Sequence, residues 1–354
     1  MKQAGKTFVV IFCFVFIVFG QDGTVATSKS RSLAWVTVWN NGGFLDNLKA
    51  SDIETSLDNR KLEGLNFERK SVPTTVGLIV DISGSMKSDT NNRLLRDRMA
   101  ATGFRRFLET CDAGSEYFVI SFGKDVNTLS DTTSDVEQTK KALSSLEATK
   151  SDEHKSLVYE ALTAGFNKAS ERTNTKKVLI LVSDGWENSD KNIPFSEVER
   201  LAKKQDALLY FIYVLAENDF AQSFNNALNP KIQSMLVKKI SLQSRNFTSI
   251  MSIIEPEMNP AVFPYPLRFG EDYARLTAST GGRVFYPYGQ DETTQVFEMI
   301  ANELKNQYLL SYNQDIGGKK GKFKRLEVKI KNSGGNIKDP QKVLVRTRAG
   351  YYVD

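Results

Sequence analysis

The sequence predicts an α/β fold: a doubly wound, mostly parallel sheet flanked by helices, with a small β domain built from N- and C-terminal strands. Three observations support this prediction. Residues 76–80, 117–122 and 178–182 are almost entirely apolar, which is typical of strands buried on both faces of a parallel sheet. The segments between them carry apolar residues at helical spacing. The chain before 72 and after 307 instead contains short runs rich in β-forming residues.

The first 20 residues are expected to be a secretory signal peptide. Lys2 and Lys6 precede an apolar run over 8–19, and Gly20 supplies a small residue at its end. The run is too short for a comfortable membrane span, so no stable span is expected after signal removal, a retained anchor being the alternative. Residues 21–31 are polar and small and are predicted to form a flexible tail. The predicted location is therefore outside the cytoplasm, whether periplasmic, cell-surface or extracellular.

Composition narrows the class of protein. The chain has 354 residues and two cysteines, of which Cys13 lies in the signal segment. Only Cys111 would remain, so no internal disulfide is expected and stability must come from an apolar core. The net charge of +5 is too small to indicate a nucleic-acid partner, and none is expected. The oligomeric state is left open by the sequence.

The remaining elements follow from local patterns, taken in chain order. The N-terminal β segment spans 32–71, and a larger α/β domain spans 72–307. Helices in that domain are predicted over 92–109, 134–146, 156–170, 194–205, 272–280 and 291–307, with further strands over 207–215 and 284–286. Residues 216–267 are rich in Asn and Ser and are predicted to be an insertion. The C-terminal segment 308–354, with strands over 308–312, 323–330 and 342–348, is expected to pair with the N-terminal segment.

Oxygen-bearing side chains follow the first buried strand at the point where it ends. Asp81, Ser83 and Ser85 come directly after residues 76–80, and Gly84 allows a tight turn between the serines. In open α/β sheets, ligands bind at the carboxyl ends of the strands. One carboxylate and two hydroxyls form a hard donor set that suits Mg²⁺, Ca²⁺ or Mn²⁺ rather than Zn²⁺ or copper. A cation site is predicted, and a plain strand-to-helix cap is the structural alternative.

The Asp-x-Ser-x-Ser pattern resembles the metal-ion-dependent adhesion site of von Willebrand factor A (VWA) domains. This resemblance implies two further ligands. Ser156 opens the helix over 156–170 where the family usually has Thr, and Asp184 follows the strand over 178–182 as the distal acidic ligand. Thr149 lies nearby but has the wrong helix spacing behind it. The implied metal ligands are Asp81, Ser83, Ser85, Ser156 and Asp184, with Mg²⁺ as the first candidate.

The same resemblance implies a function. In VWA domains of this kind an acidic side chain of the partner completes the metal coordination, so the chain would be a non-enzymatic adhesion or protein-binding module whose partner exposes Asp or Glu. Residues 303–312 and 346–352 further resemble an exported bacterial group of VWA-related proteins, first recognised in acidobacterial genomes. This similarity spans nearly the whole mature chain except 216–267. It implies that front and back strands form one β domain carrying the metal domain as an insert.

Other functions were weighed against this one. A structural surface-assembly module, with a metal that only stabilises the fold, is the main alternative. A serine hydrolase would use Ser83 or Ser85 with His154 and Asp184, but the Gly-x-Ser-x-Gly elbow is missing. Residues 317–322 lack the helix that a phosphate loop needs. The basic stretch over 319–331 favours a solvated hairpin face over a site for anionic partners.

Overall fold

The computed structural model describes residues 32–40, 43–87, 96–148, 155–189, 193–214, 268–287, 289–312, 319–331 and 343–353. Predictions for the signal peptide over 1–20, the tail over 21–31 and the insertion over 216–267 fall outside these residues, as do Thr149 and His154. No helix in the described part of the chain is long and apolar enough to cross a membrane.

Strands occur at both ends of the chain and between the helices. In chain order they are β1 (Ser32–Asn40), β2 (Gly43–Phe44), β3 (Ile53–Leu57), β4 (Arg60–Lys61), β5 (Leu65–Arg69), β6 (Thr74–Asp81), β7 (Glu116–Phe122), β8 (Val126–Thr133), β9 (Lys176–Ser183), β10 (Leu208–Tyr213), β11 (Val284–Phe285), β12 (Tyr308–Tyr312), β13 (Phe323–Ile330), β14 (Leu344–Arg346) and β15 (Gly350–Tyr352). The helices are α1 (Gly84–Lys87), α2 (Arg96–Thr110), α3 (Val136–Ala148), α4 (Val158–Ser170), α5 (Phe195–Lys204), α6 (Arg268–Thr280) and α7 (Gly289–Lys305), with a short 3₁₀ turn over Ala50–Asp52.

The central sheet has the strand order β11-β10-β9-β6-β7-β8. All its pairings are parallel except that of β7 with the edge strand β8. Consecutive side chains of β6 point to opposite faces of the sheet and enter two different cores. Leu78 packs with α2, α3 and α7, whereas Ile79 packs with α4, α5 and α6. Helices therefore cover both faces of the sheet. The predicted fold class, a doubly wound and mostly parallel α/β sheet with an extra β region, is confirmed.

The extra β region consists of two smaller sheets from the two ends of the described chain. One has the order β14-β1-β12-β5, with β2 paired to β1, and the other has the order β15-β13-β3-β4. β1 pairs antiparallel with β12, where Trp35 lies opposite Leu309. Val36, Leu57, Leu310 and Leu326 contribute to a third core shared by these strands. The exact boundaries at 71/72 and 307/308 stay a prediction.

Two parts of the strand assignment differ from the sequence prediction. β8 is a strand that the sequence does not predict. It lies at the edge of the sheet, and its mostly polar side chains give no apolar pattern. Of the strand predicted over 342–348, only 344–346 forms β14, and the unpredicted strand β15 follows at 350–352 in a different sheet. Gly350 begins β15 with φ of 155°, and a Cβ there would lie 1.9 Å from the Lys324 carbonyl oxygen. Only glycine permits this close approach of the two backbones.

A buried carboxylate joins the C-terminal end of α7 to the central sheet and to the sheet that contains β1 and β14. Glu303 is fully buried and accepts hydrogen bonds from Thr37 Oγ1 (3.0 Å), Tyr210 Oη (2.9 Å) and Arg346 Nη2 (2.7 Å). Burial alone would raise the pKa of Glu303, but the charges of Arg346 and Arg283 hold that pKa below its usual value. The carboxylate is therefore ionised and connects β1, β10 and β14 to one helix.

Candidate metal centre

The candidate site lies at the carboxyl ends of two neighbouring parallel strands. β6 ends at Asp81 and β9 ends at Ser183, and Val80 lies opposite Val182 in the register between them. Ser83 and Ser85 follow Asp81 at the start of α1. The turn is held to β7 by a hydrogen bond from the Ile82 amide to the Phe122 carbonyl oxygen (2.7 Å).

Asp81 is the centre of the hydrogen-bonding network. Its side chain is fully buried, and Oδ1 accepts a hydrogen bond from the Ser83 amide (2.9 Å). Oδ2 accepts hydrogen bonds from Ser156 Oγ (3.0 Å) and Ser183 Oγ (2.7 Å). Burial first, and then the nearby charge of Asp184, raise the pKa of Asp81 to about 6, while the hydrogen bonds from Ser83 and Ser183 oppose that rise. A positive charge placed here would favour the ionised form of this carboxyl group.

Ser83, Ser85 and Ser156 bring their hydroxyl oxygens into the same hydrogen-bonding network. Ser83 Oγ and Ser85 Oγ are 3.1 Å apart, and either can donate to the other. Ser156 Oγ gives its proton to Asp81, so both its lone pairs stay available for another contact. Ser183 Oγ differs because it also accepts a hydrogen bond from the Gly185 amide (2.9 Å). Ser183 therefore orients Asp81, whereas the other three serines can act as ligands.

Asp184 approaches the same site from the loop after β9. Its side chain is buried, and Oδ1 accepts a hydrogen bond from the Trp186 amide (3.3 Å). Gly185 has φ of 78°, and a Cβ there would lie 2.7 Å from the ring of Tyr213. Glycine is thus required for the turn that follows Asp184. The structure joins Asp81, Ser83, Ser85 and Ser156 by hydrogen bonds and brings Asp184 near enough for its charge to act on Asp81.

The donor chemistry of these five residues fits a hard divalent cation. Two carboxylates and three hydroxyls supply only oxygen, which Mg²⁺, Ca²⁺ and Mn²⁺ prefer. Within the described ranges no group of three or more His, Cys, Asp or Glu side chains could hold a metal. None of these five residues supplies the imidazole or thiolate that a softer metal needs, and their oxygen set is too small to complete a coordination shell by itself.

The sequence interpretation missed one member of the network, Ser183. It is the last residue of β9, and the residue before it, Val182, lies opposite Val80, the residue before Asp81. The available signal was this hydroxyl at the carboxyl end of the second buried strand. The hydrolase alternative stays untested, because the chain's single histidine, His154, lies outside the described residues.

Comparison with known proteins finds a similarity in this part of the chain. Residues 76–187 match the family model for the von Willebrand factor type A domain. The match begins in β6, ends just after β9 and includes all five candidate ligands. The VWA match does not extend to the β region. No curated protein matches the chain.

Solved structures from several organisms match parts of this chain. BatB from Bacteroides thetaiotaomicron is 17% identical, with 65% of this chain and 97% of that chain covered and a TM-score of 0.42. An aerotolerance-related membrane protein from Bacteroides fragilis is 11% identical, with 65% and 99% covered and a TM-score of 0.41. The PilB minor pilin from Streptococcus sanguinis is 8% identical, with 78% and 88% covered and a TM-score of 0.44.

Proposed function

We propose that this chain is an exported, non-enzymatic binding module that uses a divalent cation to capture an acidic side chain of a protein partner. Mg²⁺ is the first candidate, with Ca²⁺ or Mn²⁺ as alternatives. The observation that carries the proposal is the arrangement around Asp81, a buried carboxylate at the sheet edge with Ser83, Ser85 and Ser156 oxygens gathered beside it. Asp184 would complete the protein's share of the ligands.

The proposed residues have separate tasks. Asp81 and Asp184 supply negative charge, and the hydroxyls of Ser83, Ser85 and Ser156 supply neutral oxygen donors. When bound, the cation would supply the positive charge that attracts a partner's carboxylate. Since Mg²⁺ takes six oxygen ligands and the five proposed residues would supply one each, one position would be available to an Asp or Glu of the partner.

The hydrogen bonds within the site favour recognition over a purely structural metal. Both oxygens of Asp81 already accept hydrogen bonds from the chain itself. A buried polar group that is paired in this way does not require an ion to avoid an unsatisfied state. The fold is therefore expected to form without the cation, and the cation is expected to serve binding rather than assembly of the core.

Trp186 offers a second contact beside the proposed ion. It is the large apolar side chain of the described residues that stays exposed, at 42%. Its amide donates to Asp184, so the residue lies on the rim of the site. Tryptophan is enriched where partners meet protein surfaces because it offers a large apolar area and a polar tip. The partner is therefore expected to place an apolar group near its acidic residue.

The cellular setting belongs to the same proposal. The basic, apolar and small residues over 1–20 support export, and the resemblance of 303–312 and 346–352 to an exported bacterial VWA-related group supports a place outside the cytoplasm. Capture of partner proteins at a periplasmic, cell-surface or extracellular location follows from these two features.

Paired peptides test the capture of acidic side chains. An array would present Asp- or Glu-containing peptides, each beside a copy with Asn or Gln, in Mg²⁺ and then in EDTA. We expect the folded chain to retain only acidic members and to release them in EDTA, because the carboxylate contacts the cation. Equal retention of acid and amide members, or retention that EDTA leaves unchanged, would contradict the proposal.

A further inference from the structure

The loop after β9 is hydrogen-bonded to the start of α4. The Ser156 amide donates to Asn188 Oδ1 (2.5 Å), and the Asn188 amide donates to the Ser156 carbonyl oxygen (3.2 Å). One residue thus fixes both backbone polar groups of Ser156. The side-chain hydroxyl of Ser156 is left to donate to Asp81.

Neighbouring residues strengthen the same connection. The Tyr159 amide, in the first turn of α4, donates a hydrogen bond to Glu187 Oε2 (2.8 Å). The N-cap residue of this helix, Leu157, makes no side-chain cap. Ser189 Oγ donates to Glu160 Oε1 (2.7 Å), and the Ser189 amide donates to Glu187 Oε1 (2.9 Å). The unpaired amides at a helix start need such partners. Residues 187–189 therefore hold the start of α4 in place.

We propose that Asn188 is a positioning residue of the cation site, acting through Ser156. This inference rests on the proposed function, because it concerns the same site. The Asn188 side chain fixes the backbone of Ser156 at the place where its Oγ faces Asp81. Residues that orient metal ligands in this way typically change metal affinity by about 10–100-fold when they are lost.

The position of Asn188 explains why a motif search passes over it. It lies immediately after the VWA match over 76–187 and 32 positions after Ser156. The loop also carries Asp184 and the exposed Trp186. The hydrogen bonds of Asn188 therefore join a hydroxyl ligand on one loop to the carboxylate and the rim residue on the other.

A double-mutant cycle on Mg²⁺ affinity tests this role. Calorimetric titration would compare wild type, Asn188→Ala, Ser156→Ala and the double variant, with thermal melts to verify folding. We expect Asn188→Ala to weaken Mg²⁺ binding by about 10–100-fold, with no further loss when it is added to Ser156→Ala, because Asn188 acts only through that serine. Unchanged affinity in folded Asn188→Ala, or losses that simply add, would overturn the inference.

Two further variants keep the test decisive. Asn174→Ala is the matched control, since the Asn174 side chain donates to Thr75 Oγ1 (3.1 Å) at the opposite end of β6 and its loss should leave Mg²⁺ affinity unchanged. If Asn188→Ala does not fold, Asn188→Leu decides, because Leu keeps the size of the side chain and removes the oxygen acceptor. At least a tenfold loss of Mg²⁺ affinity is expected for folded Asn188→Leu, and wild-type affinity would overturn the inference. Failure of the wild type to bind Mg²⁺ would instead overturn the proposed function itself.

Discussion

Lys176 is a buried lysine whose loss of contact with water opposes its charge. It begins β9, is 1% exposed, and its Nζ donates to the Leu304 carbonyl oxygen (2.7 Å) and lies 3.8 Å from the centre of the Trp35 ring. Burial lowers the pKa of Lys176 to about 7, although the charges of Asp112 and Glu303 act in the opposite direction. The neutral amine is therefore the favoured form in the folded chain above about pH 7.

This lowered pKa predicts a pH-dependent stability. Between about pH 7 and the ordinary lysine value of 10.5, the unfolded chain binds a proton that the folded chain has lost. Stability due to Lys176 should then rise with pH, by roughly 1.4 kcal/mol per pH unit, and fall as pH drops towards 7. Urea unfolding of wild type and Lys176→Met at pH 7, 8 and 9 measures this as the difference between the two chains. A difference that stays constant with pH would show that Lys176 remains charged in the fold.

Ser183 and Asp184 show how adjacent residues take different tasks at one strand end. Ser183 donates to Asp81 and accepts from the Gly185 amide, so its oxygen is used within the chain. Asp184 brings a second negative charge to the site and raises the pKa of Asp81. The local motif indicated the charged residue, whereas the task of the serine depends on Asp81, 102 positions earlier.

Among the elements, α7 is the one that connects the central sheet to the β region. It ends at Lys305, and β12 begins at Tyr308. Glu303 near its end accepts hydrogen bonds from β1, β10 and β14. Breaking a buried ion pair by removing one partner is strongly destabilising, because the other charge stays buried. Movement of α7 along its axis would break these contacts together.

Glu303→Gln should therefore lower the free energy of unfolding by roughly 3 kcal/mol or more. Mg²⁺ affinity should stay unchanged, because Glu303 lies at the other end of β9 from the cation site. Its neighbour Leu304 accepts a hydrogen bond from Lys176 at the start of β9, whereas the site adjoins Ser183 at the end of that strand. Urea unfolding and calorimetry would measure the two effects. Glu298→Gln is the control, an exposed glutamate on the same helix, and should change neither quantity. Equal stability of the two variants would show that the buried carboxylate does not stabilise this junction.

At the scale of the whole molecule, the central sheet could be predicted from the sequence because its strands are buried on both faces. β6 and β9 contain uninterrupted apolar runs over 76–80 and 178–182 that are followed by polar residues. β8 could not be predicted in the same way, since an edge strand with exposed polar side chains has no such run. The division between β14 and β15 depends on which sheet each strand joins, and this is a long-range property.

The candidate site shows the same contrast between contacts that are local in the sequence and contacts that are long-range. Asp81, Ser83 and Ser85 are close in sequence, so one loop predicts their meeting. The contact between Ser156 and Asp81 joins positions 75 apart, and only the resemblance to VWA domains indicated it in advance. Asn188 was not predicted, because its partner is a backbone amide and any residue type supplies one. Sequence patterns thus indicate the donor types, and tertiary contacts decide which residues orient them.

Calorimetric titration of Mg²⁺ into wild type, Asp81→Ala and Glu137→Ala tests the central claim most directly. Asp81 is the buried carboxylate on which the site is centred, and Glu137 is an exposed carboxylate on α3, with 79% of its side chain accessible. The account predicts that wild type and Glu137→Ala bind Mg²⁺ alike, and that Asp81→Ala stays folded, as judged by circular dichroism, but no longer binds. Mg²⁺ binding by folded Asp81→Ala with wild-type affinity would contradict it.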